Sequence, residues 1–69
     1  MSSDQNQRGP SALKQALEKK GWNQRELARR LGVSPSTVTR WLNGERAPDR
    51  FHMGELRKLV GLSAEVWVG

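Results

Sequence analysis

The chain has 69 residues and no cysteine, which excludes both a disulfide framework and a zinc site built on thiolates. Its fold must therefore rest on packing. His52 is the one histidine, and without a cysteine or a second histidine it cannot found a metal cluster. No apolar run approaches the roughly 20 residues needed to span a bilayer, and no signal-peptide pattern opens the chain. A Gly-rich phosphate loop, a nucleophile elbow and a zinc signature are also missing, and the carboxylates are scattered over positions expected to be exposed. Neither catalysis nor a bound cofactor is expected.

A chain of this length holds one small domain, which buries only about 60% of its unfolded surface and so needs a tight core. Twelve Lys and Arg face seven Asp and Glu, for a net charge of +5. That excess is not spread evenly. Residues 1–10 and 51–69 are each neutral overall, whereas residues 11–50 carry nine basic side chains against Glu18, Glu26, Glu45 and Asp49. A basic excess confined to one stretch is the electrostatic footprint of a polyanion-binding surface. On charge alone, however, a merely soluble basic surface explains it better.

A motif changes that balance. The stretch from Asn23 to Gly44 reads NQRELARRLGVSPSTVTRWLNG. Asn23 is placed to cap a helix, and Glu26 three residues later completes a capping-box pattern in which each partner satisfies one orphan N–H. Gly32 can end that helix. Ser34 starts a second, with Pro35 at its first position, where the missing N–H costs nothing and the fixed φ is already helical. Gly44 closes it. Two short helices joined by so tight a turn cross steeply, and the second stands proud as a reader of the DNA major groove. The pattern is a helix-turn-helix, and it points to double-stranded DNA.

The flanks supply the rest of the domain. Residues 1–10 are polar, lack apolar periodicity and end in Gly9-Pro10, so they read as a disordered tail, with residues 11–69 as the domain. The functional alternative is an arm whose Arg8 reaches the DNA backbone or minor groove. A first helix is predicted from a cap at Ser11 to Gly21, with Leu13, Ala16 and Leu17 on one face. Trp22 should plug the gap to the second helix, which buries Leu27, Ala28 and Leu31, while Val33 in the turn points inward. In the third helix, 100° per residue puts Ser34, Val38, Trp41 and Leu42 on the core side and Ser36, Thr39, Arg40 and Asn43 opposite. Every residue on that outer side is polar. Pro48 and Asp49 mark the start of a fourth helix, with Met53, Leu56, Leu59 and Val60 at helical spacing and Gly61 at its end. The segment from Leu62 reads as a short fifth helix that folds Trp67 onto the core. The expected class is all-α, a compact five-helix domain with His52 on its surface.

As an ordered set, several features resemble the Cro/cI-type helix-turn-helix family, the lambda-repressor-like domain of phage repressors and small bacterial regulators. They are Gly21, Gln24 within N-Q-x-E-L-A, the Leu31-Gly32-Val33-Ser34 turn, Ser36-Thr37-Val38, Asn43-Gly44 and Pro48. The resemblance covers Leu13 to Trp67. It implies a domain that binds a double-stranded DNA operator, usually as a two-fold homodimer, and regulates transcription, here as a Cro-like repressor on a palindromic operator. It also implies the cytoplasm of a bacterial or phage-infected cell and no membrane role. At the matching positions it implies base contacts from Ser36, Thr39 and Arg40, and phosphate contacts from Gln24, Thr37, Asn43 and Arg46. Arg40 stands out because a guanidinium can bond O6 and N7 of guanine together; the alternative is a phosphate contact or a plain solvated arginine. For Gln24 the alternative is a solvated amide, and Asn23 is expected to be only a cap.

Two positions depart from the family pattern. Many members pair arginine with glutamate where this chain has Leu17 and Leu42. An apolar pair avoids the desolvation cost of a buried ion pair, and direct contact between the two leucines is expected. Pro35 stands where some phage repressors place a glutamine on a base, which limits that position to apolar contact, for instance with a thymine methyl; a plain first-turn proline is the simpler reading. Dimer contacts are expected from the C-terminal third, with Val66 and Val68 as the patch, in a dimer that is weak alone and forms mainly on DNA. Two other functions use the same fold. An autoregulatory antitoxin would need a toxin-binding segment beyond the tail, and a protein-interaction module would need acidic or apolar residues on the outer face of the third helix.

Overall fold

Leu13, Leu17, Leu27, Ala28, Val38, Trp41, Leu56 and Leu62 form one buried cluster, to which each helix contributes. The computed structural model describes residues 8–67. Within them α1 spans Arg8–Lys20, α2 Gln24–Leu31, α3 Pro35–Leu42 and α4 Arg50–Val60, and a 3-10 turn follows at Ala64–Trp67. The class is all-α, but with four α-helices where five were expected. The last segment is too short to nucleate an α-helix, and a tighter turn of four residues takes its place.

The first helix opens earlier than its expected cap at Ser11. Arg8, Gly9 and Pro10, read with the tail above, are helical. Pro10 does not break the helix because the N–H groups of a first turn have no intrahelical partner to lose. Gly9 is buried beneath the indole of Trp67; a Cβ there would come within 2.6 Å of Cζ3 and 2.8 Å of Cδ2. The rest of the expected tail, residues 1–7, lies outside the described residues, as does Val68 of the expected dimer patch.

The caps that set the helix-turn-helix are local and mostly as expected. Asn23 Oδ1 accepts the Glu26 backbone N–H at 2.8 Å, and Ser34 Oγ accepts that of Thr37 at 3.3 Å. Gly32 closes α2 in the left-handed region at φ 76°, where a side chain would be strained. The capping box is not completed. The Glu26 carboxylate turns along the helix to Arg29 and Arg30, each at 2.7 Å, since two charged donors one turn away outcompete one backbone amide.

Packing follows the predicted faces in the main, with Ala16, Met53 and Leu59 half-buried outside the cluster. Leu31 and Val33 are half-buried against the core, and so is Trp22, whose ring carries the Arg30 guanidinium at 4.3 Å. Ser34 is exposed rather than inward, because its hydroxyl serves the cap. His52 is no free surface side chain. Its Nδ1 meets the carboxylate of Asp49, the cap of α4, at 2.8 Å, and its ring lies 5.7 Å from that of Trp41.

Candidate nucleic-acid interface

Val38 and Trp41 anchor α3 in the core, where it packs against both α1 and α2. Burying that face leaves the other in solvent. Ser36 and Arg40 are exposed on it, and Thr39 is half-buried. Asn43 caps the helix and is exposed. Beyond it Gly44, at φ 77°, turns the chain back. The backbone N–H groups of Glu45 and Arg46 then both reach the Arg40 carbonyl, at 3.0 and 3.4 Å. This loop brings the exposed Arg46 to the same end of α3 as Arg40 and Asn43.

Gln24 joins the group across the turn. Its Nε2 donates to Thr39 Oγ1 at 2.6 Å, while the Thr39 hydroxyl donates to the Pro35 carbonyl at 3.1 Å. At the start of α3, Ser34 Oγ lies 3.1 Å from Ser36 Oγ and 2.9 Å from Thr37 Oγ1, so three hydroxyls form one chain. Asn43 Nδ2 donates to the Glu45 carboxylate at 3.4 Å, which puts one acidic group at the rim.

A cleft of about 460 Å³ opens where α1, α2 and the end of α3 meet, lined by Pro10, Ser11, Lys14, Gln24, Leu42 and Asn43. It unites Gln24 and Asn43, both expected from the sequence to contact phosphate, with Lys14 and Ser11, which were not. Nothing in the local pattern of α1 marks Lys14, because its nearness to Gln24 is a tertiary fact. Leu42 forms part of the cleft wall and packs against the cluster that contains Leu17, so both leucines serve one core where the family pattern has an ion pair.

Some of the basic side chains are neutralised by ion pairs and others are not. Arg29 and Arg30 are tied to Glu26. Partial burial pushes the Glu26 carboxyl up, but the hydrogen bond and charge of Arg29, with those of Arg30, hold it below the usual carboxylate range. Among the described residues, Lys14, Arg40 and Arg46 form no ion pair. These three lie beside α3 and its cleft, while Arg8, Lys19, Lys20, Arg25, Arg50 and Arg57 are likewise unpaired among the described residues.

A short, exposed, polar helix held by a preceding helix across a glycine turn, with free cations at its far end, defines the class of helix-turn-helix domains. The helix-turn-helix family matches residues 13–67, and the chain belongs to it, in the Cro/cI type that its motifs mark. It is similar to an uncharacterised HTH-type transcriptional regulator of Haemophilus influenzae (strain ATCC 51907 / DSM 11121 / KW20 / Rd), with 42% identity over 40 residues. That match covers 58% of this chain and 17% of the relative, so the chain spans a small part of the relative's length. No solved structure matches it. Among the described residues no helix is long and apolar enough to cross a membrane.

Proposed function

We propose that the protein is a sequence-specific regulator of transcription that binds double-stranded DNA, acting as a Cro-like repressor and as a homodimer on a palindromic operator. The observation that carries this reading is the outer face of α3, where Ser36, Thr39 and the unpaired Arg40 project from a helix anchored by Val38 and Trp41. Arg40 reads a guanine through a bidentate contact, and Ser36 and Thr39 meet neighbouring bases. Gln24, Thr37, Asn43 and Arg46 hold the phosphates that set the register, with Lys14 beside them in the cleft. The regulatory role is supported by the family and by the description of the Haemophilus relative as a transcriptional regulator. The polar outer face disfavours a protein-interaction module.

Size supports the homodimer. The longest dimension of the domain is 33 Å, close to the roughly 34 Å that separates two half-sites on one face of B-DNA, so one protomer covers one half-site. Val66, half-buried in the 3-10 turn, is the part of the proposed dimer patch within the described residues.

Selection of bound sites from a random duplex library, followed by the mass of the complexes on the selected palindrome and on one half-site, tests this reading. It predicts a palindromic consensus that takes up two protomers. A pool without enrichment overturns DNA reading, and tight one-to-one binding to the half-site with no gain on the palindrome overturns the dimer.

A further inference from the structure

Thr39 stands on the outer face of α3, yet its hydroxyl is already engaged within the protein. A threonine hydroxyl has one proton and two lone pairs. The proton goes to the Pro35 carbonyl at 3.1 Å, and one lone pair receives Nε2 of Gln24 at 2.6 Å. Nothing remains to donate to a base edge, and the one lone pair left is flanked by both partners. Two bonds on Oγ1 also fix χ1, and with it the direction of the Cγ2 methyl, because both groups branch from Cβ. Pro35 lies four residues earlier on the same side of the helix. It is exposed and offers only ring methylenes.

We infer that Thr39 reads DNA through its methyl rather than its hydroxyl, so that each protomer selects a thymine by its C5 methyl group. In the major groove that methyl distinguishes thymine from the other three bases. Gln24 is then a positioning residue: it acts through the Thr39 rotamer, while its second amide proton stays available to a phosphate. The inference rests on the proposed reading of α3 as the element that meets DNA. It divides the labour on that helix, with hydrogen-bond readout from Arg40 and apolar readout from Thr39 beside Pro35.

The test uses the full chain and the site selected from random duplexes, with thymines replaced one at a time by deoxyuridine. That change removes the methyl and keeps every hydrogen-bonding group. One thymine in each half-site is expected to weaken binding about fourfold when replaced, the size of one buried methyl-like group. Thr39→Ser keeps the hydroxyl and its two bonds and should bind thymine and uracil alike at that position. Thr39→Val loses the hydroxyl but keeps a methyl, and because helical valine is held in one χ1 rotamer by its own branching while threonine divides between two, it should retain the preference without the bond to Gln24. Gln24→Ala should shrink the thymine-over-uracil ratio, a readout that general loss of stability does not move. An enriched site with no methyl-sensitive thymine, or a Thr39→Ser variant that keeps the full preference, overturns this inference and leaves DNA reading intact. A preference abolished by Pro35→Ala but not by Thr39→Ser assigns the contact to Pro35 and equally overturns it. Failure to enrich any site overturns both.

Discussion

The indole of Trp67 lies on the backbone of Gly9, so the 3-10 turn at one end of the described chain closes the first turn of α1 at the other. Alanine at position 9 would raise helix propensity, but its Cβ would fall inside the ring's contact distance. Overpacking of this kind costs about 1–3 kcal/mol. Gly9→Ala is therefore predicted to lower the melting temperature and to expose Trp67 to solvent, read by thermal unfolding and tryptophan fluorescence. A variant more stable than the parent would contradict this packing.

Leu56 is 0% exposed at the centre of the core, whereas Leu42 is half-buried at the wall of the cleft. Leu56→Ala should lose about 2–5 kcal/mol, as a fully buried leucine does. Leu42→Ala should lose roughly half as much, since less of its surface leaves water on folding. Urea midpoints at unchanged slope measure both losses. The reverse order would show that the leucine pair replacing the family ion pair carries more of the fold than its burial indicates.

Asp49 links stability to acid. The backbone N–H of His52 holds its carboxyl below the ordinary carboxylate range; partial desolvation opposes this, and the His52 ring reinforces it. A depressed folded-state pKa contributes stability that is complete above the unfolded value and is lost as pH falls through the folded one. Melting temperature should thus decline below the usual carboxylate range. Asp49→Asn, which keeps a capping oxygen, should flatten that decline. An unchanged acid profile would remove Asp49 from the account.

The parts of this fold that were legible in the sequence are those governed by neighbours a few residues apart. Asn23, Gly32, Ser34 and Pro35 act on the backbone next to them, so the helix-turn-helix could be placed residue by residue, and the spacing of Val38 and Trp41 fixed which side of α3 faces out. Where distant partners decide, the pattern was silent or misleading. Gly9-Pro10 looks like a breaker until Trp67 accounts for the glycine. Glu26 fits a capping box until Arg29 and Arg30 compete for it. The Gln24 to Thr39 bond and the place of Lys14 in the cleft depend on how α1, α2 and α3 meet, which no local rule supplies.

The most direct test of the central claim, that the outer face of α3 reads base sequence, compares the parent with Arg40→Ala on the selected site and on random duplex across a salt series. Both proteins should lose affinity with salt at a log–log slope of about −0.9 per phosphate neutralised. Arg40→Ala should cost about 1–3 kcal/mol on the selected site, relax the preference at one base pair, and leave binding to random duplex nearly unchanged. Equal loss on both duplexes, or an affinity that does not respond to salt, would contradict the account.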